Sequence, residues 1–269
     1  MRLKKRMLAV VIGLFAAVPA AAQIYVEYRV TGHLEMGFLD VLSHKIQFST
    51  SGTYFSYTKD GGQDNLFAVS RMSLDLRLSR KHTLIFLYQP LSLDTKNLLQ
   101  EDLVVDDLTF PAGTPTRFRY DFPFWRVSWL WNLAKDPRDE VAVGFSFQLR
   151  NARIEFSSLD GMLFRSHRDV GLVPILKFRG RRGYDSGFWI GAEADGFYAP
   201  IGDVKGAILD ASIRAGFRLP KNMETFLNIR YLGGGAVGTS EVEPGPGDGY
   251  VKNWLHFITV TVGLSIGLF

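Results

Sequence analysis

The side chains that could act as nucleophile, base or metal ligand are few and poorly spaced for it. A hydrolase built on one strand needs a serine and a histidine two residues apart, so that both leave the same face and the imidazole reaches the hydroxyl. This chain offers Ser43-His44 and Ser166-His167, adjacent pairs whose members point to opposite faces. An acidic cluster with a histidine could activate water, and Asp106, Asp107 and His44 are the residues from which one could be assembled; their spacing does not require them to meet. His33 and Glu35 share a strand face at i, i+2, which suits an ion pair or hydrogen bond better than a metal site. Gly233-Gly234-Gly235 leads into the Gly/Pro-rich stretch EPGPGDG and not into a helix, so it is no phosphate loop. The absence of cysteine excludes disulfides, thiolate metal sites, a thiol nucleophile and a lipidated cysteine. No cofactor, metal or catalytic residue is assigned.

What must position any site is a set of alternating segments. In the last stretch, NWLHFITVTVGLSIGLF, Ile258, Val260, Val262, Leu264, Ile266 and Leu268 alternate with Thr259, Thr261, Gly263, Ser265 and Gly267. That is period two, the mark of a strand, in residues that are poor helix formers. Phe269 falls on the small-polar parity, which suggests a bulge near the end. The same alternation recurs at Val26–Met36, Ser73–Leu78, Val141–Arg150, Phe188–Asp195, Leu209–Arg218 and Glu224–Tyr231. Many of these segments run far beyond the roughly five or six residues of a soluble strand, and their polar faces carry charges of both signs. Aromatic residues collect near their ends, as interfacial girdles do.

Turns set the topology. Short breaks at Ser79–His82, Ala134–Glu140, Gly180–Asp185 and Leu219–Asn222 alternate with connections at Thr95–Thr114, Ser158–Gly161, Pro200–Lys205 and Gly233–Gly249, two of them long. The fold class expected is all-β: an antiparallel transmembrane β-barrel of about ten strands, with short turns in the periplasm and long loops outside. The strands fall near 24–36, 65–79, 82–93, 115–133, 139–157, 162–180, 185–199, 205–219, 222–235 and 250–269. Leu39–Asn65 is expected as an external loop with a β-excursion at Lys45–Tyr57; a strand within Gln100–Phe110 would raise the count to twelve.

The N-terminus, MRLKKRMLAVVIGLFAAVPAAAQ, has a basic start, an apolar run from Met7 to Val18 and small residues at Ala20–Ala22. It reads as a secretory signal over 1–22, cut before Gln23, with 23–269 as a single barrel domain. The signal holds four of the 31 lysines and arginines and none of the 27 acids, so the mature chain is balanced in charge. No nucleic-acid partner is expected.

The phrase DLVVDDLTFPAGTPTRFRYDFPFWRVSWLW, together with KHTLIFLYQPLSL, FQLRNARIEFSSLDG, DVGLVPILKF, EADGFYAPIGD and NWLHF, resembles a family of uncharacterised bacterial outer-membrane β-barrel proteins. The resemblance covers most of residues 65–260 and implies the outer membrane of a Gram-negative-type cell; it brings no catalytic residue. In such a barrel the inward parity carries Arg71, Asp75, Arg77, Arg117, Arg119, Asp121, Arg126, Arg150, Arg153, Glu155, Asp169, Lys177, Arg179, Glu193, Asp195, Asp210, Arg214, Arg218, Glu224 and Arg230. Arg150, Glu193, Asp195, Arg214 and Arg230 are nominated as a lumen network or polar ligand site. The functions in view are a structural barrel, a narrow channel or binding barrel for small polar solutes, a lipid-modifying enzyme, or surface recognition through the loops. The partners expected are outer-membrane lipid and, during insertion, periplasmic chaperones and the barrel-assembly machinery, with the chain a monomer.

Overall fold

Long alternating segments can hide one face only by closing a sheet, and these do. The computed structural model describes residues 29–136, 138–201, 203–239 and 247–268; the signal segment and Phe269 lie outside them. The strands are β1 (Arg29–Phe48), β2 (Phe55–Ser56), β3 (Leu66–Arg77), β4 (His82–Gln89), β5 (Ser92–Leu98), β6 (Leu103–Val105), β7 (Leu108–Phe110), β8 (Pro115–Asp121), β9 (Phe124–Asn132), β10 (Asp139–Ser158), β11 (Phe164–Gly183), β12 (Phe188–Ile201), β13 (Val204–Leu219), β14 (Met223–Thr239) and β15 (Tyr250–Gly267). Ten of them form an antiparallel ring in which each pairs with the next: β1, β3, β4, β9, β10, β11, β12, β13, β14, β15 and back to β1.

Two prolines divide the wall into storeys. Proline cannot donate to a ladder, and Pro90 and Pro123 interrupt neighbouring strands at one level. They split β4 from β5 and β8 from β9, while the Phe122 amide bonds the Leu91 carbonyl at 2.8 Å to hold the breaks opposite each other. Below them the outer face is apolar: Leu176, Ile213, Val262, Met36 and Phe38 are exposed, and Trp125, Trp129 and Trp131 share that face. This is the belt a bilayer covers. Above the breaks the pattern inverts. Asp94, Arg117, Arg119, Asp121, Arg153 and Glu155 face out, while Leu93, Phe118, Tyr120, Ile154 and Phe156 are buried. Their inner faces pack with Phe55, Tyr57, Leu103, Val105 and Phe110 into one apolar core, a cap built like a water-soluble domain.

Three expectations are corrected. The external loop does not begin at Leu39: β1 continues to Phe48 through a register shift between Val41 and Ser43, because Ile46 and Phe48 belong to the cap core. The β-excursion shrinks to β2, which pairs only with Lys45 and Ile46. Arg117, Arg119, Asp121, Arg153 and Glu155 point outward, since above the bilayer water lies outside and the packed core inside. The segment Gln100–Phe110 contributes the small hairpin β6–β7, a separate sheet, so the wall count is ten and not twelve.

Candidate functional site

The lower lumen is filled by charge. Alternation sends Glu35 of β1, Arg71 of β3, Arg126 of β9, Lys177 and Arg179 of β11, Glu193 and Asp195 of β12, Asp210 and Arg214 of β13, and Arg230 of β14 to one interior space, all nearly or fully inaccessible. Asp210 sits at its centre. It accepts from Arg126 at 3.0 Å, lies 3.6 Å from Arg71, and accepts from Arg230 through its other oxygen. Arg126 also lies 3.0 Å from Asp195 and donates twice to Gln148, at 3.0 and 2.6 Å. Lys177 donates to Asp195 at 2.9 Å. Glu193 takes the Arg214 guanidinium and lies 3.5 Å from Arg230. Below, Arg179 bridges Asp75 at 2.6 Å and Glu140 at 2.7 Å. Glu35 accepts from Asn228 at 2.6 Å and Thr261 at 2.9 Å.

The set is balanced: Arg71, Arg126, Lys177, Arg179, Arg214 and Arg230 face Glu35, Asp75, Glu140, Glu193, Asp195 and Asp210. A neutral lining gives no electrostatic preference for an anion or a cation. The pocket lined by His33, Glu35, Arg71, Arg126, Lys177, Arg179, Glu193, Arg214 and Arg230 has a free volume of about 20 Å³, room for little more than one water.

Of the five residues nominated from parity, four meet here: Glu193, Asp195, Arg214 and Arg230. Arg150 does not. It lies higher on β10 and pairs with the exposed Asp169 of β11, while Gln148, two residues below on the same face, is the β10 group that reaches Arg126. The centre, Asp210, was visible only as one inward residue among many, because strand parity says nothing of which residues share a depth. Register across β12, β13 and β14 decides that: Asp195 lies opposite Asp210, and Asp210 opposite Leu232.

The other chemistry-bearing residues resolve separately. His44 and Asp106 do not meet. His44 is fully buried in the cap, bonded to Gln63 at 2.7 Å and stacked on Tyr57 at 4.2 Å between ring centroids. Asp106 bonds His167 at 2.8 Å, beside Arg165. Ser265 and His33 are 2.7 Å apart on facing strands, with Asp75 3.6 Å from the other ring nitrogen. This Ser–His–Asp set lacks what hydrolysis needs: Asp75 is already held by Arg179, Ser265 is buried, and the space beside His33 admits one water, not a substrate. In the cap, burial pushes the Tyr57 hydroxyl well above the usual phenol range. Hydrogen bonds from Thr50, then Tyr250, pull the Asp248 carboxyl down to about 2.

No family model matches the sequence, and no curated protein matches it. Among solved structures, the chain is similar to the outer membrane protease OmpT of Escherichia coli, with a TM-score of 0.50 at 12% identity over 89% of this chain and 97% of that one. The transport unit of the autotransporter AIDA-I, also from Escherichia coli, gives 0.40 at 10% identity over 96% and 95% of the two chains. The toluene transporter TodX of Pseudomonas putida gives 0.35 at 8% identity over 88% and 90%. The latter two carry no argument at those scores. The first shows a shared barrel fold and nothing of its chemistry.

Proposed function

We propose that this protein is an outer-membrane barrel with a sealed lumen, a structural support for its extracellular cap and not a passage for solutes. The observation that carries the reading is the balanced charge network with about 20 Å³ of free space among its members. Barrels of about eight strands are filled by their own side chains and open aqueous channels come near sixteen, so ten strands filled by arginines and carboxylates leave no path. The apolar outer belt and the inversion of polarity above Pro90 and Pro123 support placement in a membrane, with the long connections outside. Export by the N-terminal segment, and insertion through periplasmic chaperones and the barrel-assembly machinery, belong to the same proposal. A second reading, recognition of an external partner, is favoured by the cap: a loop region with its own apolar core presents a fixed surface. The test is conductance of the refolded protein in a planar bilayer. The expected result is a folded barrel that gives no discrete steps. Steps whose selectivity changes on neutralising Arg230 or Arg214 would overturn the sealed lumen and restore the channel.

A further inference from the structure

We infer that the membrane-facing wall of β12–β15 holds a site for a phosphate-bearing lipid of the outer leaflet. The inference rests on the membrane placement proposed above. At the upper end of the apolar belt these strands leave a groove of about 660 Å³, lined almost wholly by apolar groups. Gly196, Ala207 and Gly233 open it, and Leu176, Tyr198 and Trp254 edge it. The glycine at 233 leaves room for a pair of side chains. A Cβ there would stand 2.3 Å from the Tyr231 hydroxyl and 2.5 Å from His256 Nδ1, the two atoms that hydrogen-bond across it at 2.7 Å. Leu176, Tyr198, Ala207, Tyr231, Trp254 and His256 share the outward parity of Ile213 and Val262, so bilayer lipid is what reaches them, while Phe197 and Ile208 line the groove from the inward parity.

Charge selects among lipids. The next outward residue above Ala207 on β13 is Lys205, and above Trp254 on β15 it is Lys252. Lys45 of β1 lies opposite Trp254 in the ladder. Lys252 and Lys45 both approach the ring of Tyr54, at 4.1 and 5.7 Å from its centroid. Among the described residues none of the three lysines forms an ion pair. The opposite rim mixes both signs: Arg119 pairs with Asp121 and Arg153 with Glu155, beside Lys96 and Arg168, which form no ion pair among the described residues. The three cations over the groove can meet an anion from outside. The backbone adds to this. Pairing of β11 with β12 stops at Leu176 and Gly196, while β12 continues along β13 to Ile201. The edge from Phe197 upward thus has no strand beside it where the groove opens, and its amides are available to a polar headgroup. An acyl chain in the groove puts its phosphate below Lys205 and Lys252.

The full-length protein, purified in detergent micelles, is to be doped with bis-phosphorylated lipid A, with the same lipid stripped of phosphate, or with inorganic phosphate, and analysed by native mass spectrometry. Preferential retention of the phosphorylated lipid is expected. Lys205→Ala with Lys252→Ala should cut that preference by roughly fivefold per lysine. Ala207→Phe fills the groove without touching the lumen and should reduce retention of both lipids. Equal retention of the two lipids, retention unchanged by these substitutions, or binding of inorganic phosphate without lipid would each overturn the site. A protein that folds and stays silent in the bilayer yet shows no lipid preference removes this inference alone; one that does not enter lipid removes the membrane reading as well.

Discussion

Asp210 and Arg150 are both charged, inward-facing and paired, and their surroundings make them opposites. Asp210 has no accessible surface and is approached by three guanidinium groups, those of Arg71, Arg126 and Arg230. Attraction between buried ions roughly offsets the cost of removing them from water, so the network as a whole adds little to stability; removing one member strands the others. Asp210→Asn leaves three cations facing one carboxylate fewer, and should cost about 3–5 kcal/mol. Arg150 meets an Asp169 whose side chain is 58% exposed. Water screens that pair, and Arg150→Gln should cost about 0–1 kcal/mol. Urea unfolding of the two variants in lipid vesicles measures both. Equal losses would mean that Asp210 is hydrated and that the lumen is not sealed.

At the scale of elements, the two faces of each strand were legible within the bilayer and unreliable above it. The alternation of β13 and β15 could be read directly, because one rule, apolar outward, holds from Ala207 to Leu219 on β13 and from Ile258 to Ile266 on β15. On β8 and upper β10 the rule reverses where the strand leaves lipid, and a reader of sequence who keeps charges inward is led to misplace Arg119 and Glu155. A proline such as Pro123 signals a break in a strand, but a break alone does not announce a change of solvent. The cap escaped notice for a related reason. Phe55 lies about fifty residues from the Leu103–Phe110 hairpin, each in a short apolar patch, and only the closed wall brings them together. The connections above the apolar belt are tied by polar contacts too. Asp248 accepts from the Thr50 amide at 3.0 Å and from its hydroxyl, joining the segment after β1 to the one before β15. Its carboxyl is held at about 2 against an ordinary 3.8. A depressed carboxylate stabilises where it is ionised, so the tie is complete above about pH 4 and is lost as pH falls through about 2. Cleavage near residue 50 by an acid-active protease should rise over that interval. Asp248→Asn should be cleaved readily at both ends of it. A wild-type cleavage rate independent of pH would show that Asp248 does not hold the segment.

For the whole molecule, the fold is a statement about which solvent each face meets: lipid outside and ions inside below the prolines, water outside and apolar packing inside above them. The five tryptophans test it, because they sample the two faces of the lower storey. Trp129 and Trp131 project from β9 on the belt side, where Trp129 packs against Phe145, itself exposed. Trp189 projects from β12 to the interior, 3% accessible, with the Arg181 guanidinium 4.1 Å from its ring centroid. Proteins retaining one tryptophan, the others replaced by phenylalanine, can be refolded into bilayers whose acyl chains carry bromine, a quencher that acts near contact. Emission from Trp129 and Trp131 should be strongly quenched, and emission from Trp189 should persist. The three variants share one barrel and one vesicle composition and differ only in the face that the retained tryptophan occupies. Quenching of Trp189 with protection of Trp129 would mean that the alternation had been assigned inside out, and the buried ion network with it. Protection of all three would mean that the apolar belt does not meet lipid, and the exposed Leu176, Ile213 and Val262 would then need a protein partner to cover them.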